Sequence, residues 1–464
     1  MARHGKEKIE NKSEKSLEKN RDKALEKSLE KNNKNKKKNN KKYNNLKWDK
    51  LDNTAQLFPV IAREGMSNVY RVSVLLKEDI DGTALQLALE KVLPHFDIFK
   101  MTLKSGLFWH YFEENKSPLP KVVEENVYPC LYINPYANNK YLFRMSYYKN
   151  RINLEVFHVL TDGNGAINFL KEITYQYIRI KHPEITGKVK NTLSSETSLN
   201  AEDSYVNNYK KKEKKTYKTK RAVILKGEKL TANQLAVTHG MMSIQEIKAV
   251  AKSYGVTINQ YLVGVYTWAI YKSYLKGIQS KRPISTAVPV NLRPYFESET
   301  NKNFFVVVSA IFEPTKSEYT FEEVLNIVAD SLKEQVTKEN LEKLFSYNVS
   351  NEMNVLLRAI PLVLKNFAIR QVYNASAKAN TTTVTNLGII KTSDPYSEYI
   401  ERFHAILAMS KGQNMKMTVL SYEDTLTLTF SANVLVDNVQ KTFFRKLTEE
   451  GIGVTIETNG VYYE

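Results

Sequence analysis

The residues with the clearest chemical promise are His158, Asp162 and Gly163, in the stretch RINLEVFHVLTDGNGAINFLKEITYQYIRI at 151–180. A neutral imidazole, with an ordinary pKa of about 6.5, takes a proton from a hydroxyl as that hydroxyl attacks a carbonyl. A carboxylate four residues on either orients such a ring, as in a triad, or holds the turn through an arginine. The bland alternative is a core histidine capped by backbone, the commoner fate of a lone buried His. Here the whole pattern is His-x-x-x-Asp-Gly, in a chain with 7 His and 17 Gly. Chance supplies such a match in roughly one sequence in a hundred, so chemistry is the better reading.

The surrounding residues form elements that can position the ring. Ile152, Leu154 and Val156 alternate with Asn153 and Glu155, a strand with one buried face. His158 shares their parity and points toward the interior at the strand's end. Thr161-Asp162-Gly163-Asn164-Gly165 reads as a turn. Ala166, Leu170, Ile173, Tyr177 and Ile180 then recur at helical spacing. Strand, histidine, tight turn and buried helix together present an imidazole at a pocket wall.

HVLTDG resembles the HxxxDG signature of the chloramphenicol acetyltransferase-like superfamily. That superfamily includes plant acyltransferases of the BAHD type, peptide-synthetase condensation domains and bacterial alcohol acetyltransferases. The stretches WDKLDNTAQLFP, TINQYLVGVYTWAI, VPVNLRPYF, NKNFFVVVS and TNLGII resemble the last group most, so the likeness runs from about Trp48 to the C-terminus. It implies an α/β fold of two chloramphenicol acetyltransferase-like lobes, with mixed β-sheets flanked by helices. An active-site tunnel would run between the lobes, entered by a thioester donor from one face and an acceptor from the other. It also implies direct transfer without an acyl-enzyme, with His158 as the base. By the same analogy Asp162 is structural, pointing away from the histidine and pairing with Arg293 of NLRP, while Gly163 lets the turn form. Many relatives carry two adjacent histidines; this chain has Phe157-His158, and the plant branch also has one. The DFGWG motif of plant enzymes is absent, and TNLG takes its place.

Other residues carry weaker signals. Along Thr381 to Asn386, Thr385 and Asn386 offer a hydroxyl and an amide that could donate to a developing oxyanion or to substrate; a threonine-rich strand accounts for them equally well. His95 and His110 read as structural, and His404 lies in a helix-like stretch. GxSxG, P-loop, HExxH and GxGxxG are all missing, which excludes the usual serine-hydrolase, nucleotide-phosphate and zinc-protease signatures. A single cysteine, Cys130, excludes an internal disulfide framework and any CxxC metal site, and fits a reducing cytosol. No metal site is expected.

The 464 residues suit two core-forming domains, and a hydrophobic content of 42% is enough to fill both. The formal charge of +18 is local. Residues 1–47 hold 17 Lys/Arg against 7 Asp/Glu, and 209–230 hold 10 against 2, leaving a body with 41 of each. Such a body is not built to grip nucleic acid over its whole surface. The longest apolar candidate, Tyr261 to Tyr271, is followed by Lys272 and reads as a buried helix, and the lysine-rich N-terminus does not read as a secretory signal. The expected organisation is a disordered basic tail over 1–46 and an N-terminal lobe over 47–200. A basic connector over 201–233 and a C-terminal lobe over 234–464 complete it.

Within this frame, helices are expected at about 83–92, up to Ile180, from two capping boxes at Ser243–Glu246 and Thr257–Gln260, and at about 320–335 and 350–370. The functional expectation is an acyl-CoA-dependent O-acyltransferase, cytoplasmic, with acetyl-CoA or another acyl-CoA as co-substrate and no bound cofactor. Its partners would be a small-molecule alcohol and the acyl-CoA. The alternatives are a condensation-type enzyme using an amine acceptor or an acyl carrier protein, and a non-catalytic lobe pair that serves as a binding module. The basic tail would touch anionic surfaces, and no specific nucleic-acid partner is expected.

Overall fold

VYRVSVLL at 69–76 is apolar and β-branched without strict alternation, the pattern of a strand covered on both faces. In the computed structural model it forms strand β1 (Val69–Leu76), and all eight residues are buried. The structure describes residues 48–188, 193–194, 197–210, 220–231, 233–354 and 358–461. The basic tail over 1–46 and residues 211–219 of the connector lie outside them. The fold is that of the unit Lys50–Glu464.

After β1 the Asp81 carboxylate accepts from the N–H groups of Thr83 and Ala84 and so starts α1 (Gly82–Val92). A hairpin of β2 (Met101–Ser105) and β3 (His110–Glu114) follows, then β4 (Val123–Glu124), β5 (Phe143–Tyr148), β6 (Arg151–Phe157) and α2 (Gly163–Lys181). The second half supplies β7 (Ala236–Ser243), α3 (Ile244–Ser253), α4 (Ile258–Ala269), β8 (Ile284–Asn291) and β9 (Phe305–Phe312). Next come α5 (Phe321–Gln335), α6 (Lys338–Met353), α7 (Leu362–Ser376), β10 (Thr382–Ile390) and β11 (Ile400–Leu407). The chain closes with β12 (Met415–Tyr422), β13 (Thr425–Ala432), α8 (Asp437–Glu449) and β14 (Thr455–Thr458).

Two large sheets organise these elements. The first has the order β11-β1-β6-β5-β4 and the second β9-β8-β10-β12-β13-β7-β14. Both are mixed: β4 runs parallel to β5, and β10 runs parallel to both β8 and β12. Leu85, Leu89, Phe143, Leu154, Phe169 and Leu170 belong to the core beside the first sheet. Tyr261, Val265, Leu325, Phe430 and Phe443 belong to the core beside the second. The fold is α/β with two lobes.

One strand crosses from one half to the other. β11 comes late in the chain yet pairs antiparallel with β1, with Phe403 opposite Val74, Ala405 opposite Val72 and Leu407 opposite Tyr70. Ile390, Tyr396 and Ile400 lie in the first core with it. A C-terminal lobe drawn as 234–464 has no place for this exchange. The second sheet also holds the strand, because the Thr418 hydroxyl donates to the Ala405 carbonyl at 2.5 Å and the Ser431 hydroxyl to Leu407 at 2.9 Å. Covered from both lobes, IERFHAIL loses the alternation that would have marked it as a strand. His404 therefore stands on a strand and not in a helix.

Two other expectations change. The helix foreseen at 350–370 is not continuous, since α6 ends at Met353 and α7 begins after Pro361, which cannot continue a helix. Of the two capping boxes, Thr257 and Gln260 make both halves. Ser243 caps its helix through the Gln245 N–H instead, and Glu246 accepts from the Gly453 N–H at 2.9 Å, so no box closes there. Among the described residues no helix is long and apolar enough to cross a membrane, and no three His, Cys, Asp or Glu side chains are grouped to hold a metal.

Candidate active site

His158 follows the last residue of β6, and its N–H donates to the Asn68 carbonyl at 3.0 Å, which fixes the backbone at the strand's end. Its ring is held on three sides. Phe58 stacks on it with centroids 4.5 Å apart, Tyr70 meets it edge-on at 4.9 Å, and Phe305 tilts against it at 5.7 Å. The fourth contact is polar: His158 Nδ1 lies 3.0 Å from Asn303 Oδ1.

The orientation of the Asn303 amide follows from its other partner. Its Nδ2 donates to Asp52 Oδ2 at 2.9 Å and its backbone N–H to the same oxygen at 3.2 Å, while the Ala55 N–H donates to Asp52 Oδ1 at 2.8 Å. With Nδ2 facing a carboxyl oxygen, Asn303 turns its own oxygen to the imidazole. His158 Nδ1 must then carry the proton, which leaves Nε2 with the lone pair. Burial pushes the His158 pKa below its ordinary value, and the nearby Asp162 carboxylate only partly opposes this. The ring is therefore neutral at pH 7. Burial also lifts Asp52 to about 7, against the pull of its hydrogen-bond donors.

Asp162 does different work. Its Oδ1 accepts from the N–H groups of Asn164 and Gly165 and caps α2. Arg293 makes a bidentate pair with it, Nη1 to Oδ2 at 2.8 Å and Nη2 to Oδ1 at 3.2 Å, and the Phe304 N–H reaches Oδ2 at 3.1 Å. Arg293 is buried as well and donates to the carbonyls of Thr300 at 2.8 Å and Lys302 at 2.7 Å. The pair ties α2 of the first half to the segment between β8 and β9. No hydrogen bond joins Asp162 to His158 among the described residues.

Gly163 is the first residue of α2 and does not have a positive φ. What the turn needs at this position is space, since a Cβ there would strike the Leu387 side chain. Gly165 is tighter, since a Cβ would meet the Thr161 hydroxyl and lie 2.6 Å from the Asn301 carbonyl.

His158, Asp162, Gly163, Arg293, Thr385 and Asn386 all line one cavity, with Tyr70 and Phe305 beside them and Ala405 to Leu407 of β11 and Thr418 completing its wall. Thr385 and Asn386 belong to β10, so the cavity draws on both sheets. Asn386 Oδ1 accepts from the Gly388 N–H at 2.8 Å, and its side-chain nitrogen Nδ2 faces Asn259 Oδ1 at 3.4 Å. Sequence reasoning missed Asn303 and Asp52. The polar run TNKN stands just before the apolar strand FFVVV, and all four of Thr300, Asn301, Lys302 and Asn303 are buried. Their position beside His158 depends on long-range packing that no local spacing records.

No protein-family model matches the sequence, and no curated protein matches it. Solved structures do. Polyketide synthase associated protein 5 from Mycobacterium tuberculosis aligns with a TM-score of 0.54 at 12% identity, covering 86% of this chain and 96% of that one. F. sporotrichioides TRI101 complexed with coenzyme A and T-2 aligns at 0.57 and 10% identity, covering 88% and 99%. The starter condensation domain of rhizomide synthetase, in complex with C8-CoA and Leu-SNAC, aligns at 0.56 and 9% identity, covering 87% and 94%. The chain has the two-lobed chloramphenicol acetyltransferase-like fold that acetyltransferases and condensation domains share.

Proposed function

We propose that this chain is an acyltransferase in which His158 is the general base. The observation that carries the reading is the Asn303 contact, which puts the proton on Nδ1 and leaves Nε2 of a cavity-lining imidazole as acceptor. In the proposed step Nε2 takes the proton of an acceptor hydroxyl while its oxygen bonds to the thioester carbonyl carbon. The carbonyl electrons move onto oxygen, to which Thr385 and Asn386 of the cavity wall are read as donors. As the C–S bond breaks, the imidazolium returns the proton to the thiolate, giving ester and free thiol. Asp162 and Arg293 hold the turn and do not exchange protons. No covalent acyl-enzyme forms.

The donor is read as an acyl-CoA, supported by the coenzyme A and the C8-CoA in complex with two of the similar structures. The acceptor is read as a small alcohol and the enzyme as cytoplasmic, with no tightly bound cofactor. The test follows thiol release from acetyl-CoA with a panel of alcohols and amines, for the wild type and His158→Ala. Alcohol-dependent release that the variant loses supports the reading. Amine-dependent release, or release only from a carrier-protein thioester, replaces it with condensation chemistry. No release from any donor leaves a binding module.

A further inference from the structure

Helix α7, LVLKNFAIRQVYNAS, is apolar on the side that a surface helix normally keeps polar. Its inner stripe is Leu362, Ile369 and Tyr373; Ile369 and Tyr373 pack on Val60, Ile61 and Met66, and Arg370 donates to the Val60 carbonyl at 3.1 Å. The outer side carries Val363, Leu364, Phe367 and Val372, each more than half exposed. Four large apolar side chains exposed on one helix mark a surface that takes a nonaqueous partner. The tip of the β2–β3 hairpin extends the surface. The Leu107 carbonyl accepts from the Leu362 N–H at 2.8 Å and the Phe108 carbonyl from Lys365 at 2.9 Å, setting exposed Leu107 and Trp109 beside the helix. Two elements thus share one exposed apolar face, larger than scattered surface hydrophobes need.

Charge selects the occupant. Lys365 and Arg370 stand on α7 itself, Arg358 lies beside Lys365, whose ammonium donates to its carbonyl at 3.1 Å, and from Asn354 to Ser393 the sequence has not one Asp or Glu. A second copy pairing by twofold symmetry would set this cationic rim against itself. An anionic lipid surface instead attracts the rim and accepts the apolar side chains below its headgroups, with Trp109 of the type favoured at that depth. We infer that α7 and the β2–β3 tip form a docking face for membranes rich in anionic lipid. The face rests on the short helix Phe58–Ile61, whose Phe58 stacks on His158. The inference does not depend on the chemistry assigned to His158.

The test is cosedimentation of the full chain with vesicles of phosphatidylcholine alone and of phosphatidylcholine mixed equally with phosphatidylglycerol. The wild type should be retained on the mixed vesicles, and its tryptophan emission should move to the blue. Trp109→Phe should stay bound but lose most of the emission change. Val363→Glu/Phe367→Glu should melt like the wild type, because both side chains are exposed, and lose about tenfold or more of its retention. The lysine-rich N-terminus is unchanged in every protein compared, and its salt-sensitive binding cancels from the difference. Equal retention of the double variant and the wild type overturns the inference. So does an emission spectrum that vesicles leave unmoved, or a wild-type dimer that the double variant dissolves.

Discussion

Asn303 Oδ1 stands 3.0 Å from His158 Nδ1, although 145 residues separate the two in the chain. The amide is anchored on its far side by Asp52, so a residue near the start of the fold determines which nitrogen of the imidazole is the base.

Removing the ring and removing its orienter should have different signatures. His158→Ala is expected to lower kcat by roughly 10²–10⁴-fold, the usual worth of a positioned base. Asn303→Ala should lower kcat by about ten- to a hundredfold with little change in KM, because the imidazole then samples both tautomers and loses its direction. Asn303→Asp should not recover the loss at pH 7 if the amide's part is to accept one bond while giving another to Asp52. Steady-state kinetics on the three variants checks this, and an Asn303→Ala enzyme with wild-type kcat would remove Asn303 from the mechanism.

The pH profile should carry the mark of burial. Since the folded pKa of His158 is depressed, its base form is already present at pH 7. The acid limb of kcat/KM should therefore fall below the free-imidazole value of about 6.5. A limb centred above that value contradicts a buried neutral base.

Two other histidines predict a stability effect. His239 and His404 stack at 3.9 Å, with Arg402 donating to His404 at 3.2 Å. Burial and the arginines nearby depress His239 to about 3, and burial with His239 beside it pushes His404 well down. A depressed histidine pKa means that, below about 6.5, the unfolded chain takes up a proton that the folded one does not, so stability falls with pH. Asp52 acts in the opposite sense between 3.8 and about 7, because its folded form keeps the proton. His239→Phe should flatten the dependence between about pH 4 and 6 by roughly 1.4 kcal/mol per pH unit, one proton's worth. Urea unfolding at several pH values measures it, and parallel wild-type and variant curves would be the failing result.

Asp162→Ala leaves Arg293 buried beside lost charge and strips the cap from α2. Breaking one side of a buried pair costs about 3–5 kcal/mol, so both melting temperature and rate should fall, with Asp162→Asn milder. An Asp162→Ala protein that melts like the wild type but is inactive would make the carboxylate a partner of His158 instead of a tie between segments.

Gly165→Ala should be worse than Gly163→Ala. At Gly163 the obstacle is the end of a leucine side chain, which can rotate; at Gly165 it includes the Asn301 carbonyl, which cannot. An overpacked site of that kind costs about 1–3 kcal/mol. Thermal unfolding of the two variants gives the order, and the reverse order would count against the close packing of α2 on this segment.

What could be read from the sequence was whatever repeats with a short period or rests on a local signal. The strand with His158, the turn and α2 follow from spacing within thirty residues, as do β12 and β13 on either side of their turn. The pairing of Arg293 with Asp162 came from resemblance and not from spacing. Asn303 and Asp52 lie inside two of the stretches that carry the resemblance, but no local pattern gave either a role, because a buried asparagine before a strand has the same letters as an exposed one. β11 was hidden for a related reason: a strand buried on both faces loses the alternation that distinguishes it from a helix.

The position of β11 also bears on synthesis. Between Leu76, the last residue of β1, and Ile400, the first of β11, lie several hundred residues, and β1 pairs on one side with β6 long before its other neighbour exists. At the roughly 5–20 residues per second of a translating ribosome, that ladder edge waits about 15–65 s for its partner. The apolar face of VYRVSVLL is the kind of strand that recruits other chains when its edge is bare. A nascent chain stalled before residue 400 should therefore be aggregation-prone although its first 180 residues already hold every other strand of that sheet. The open edge of β1 is closed by a strand made several hundred residues later.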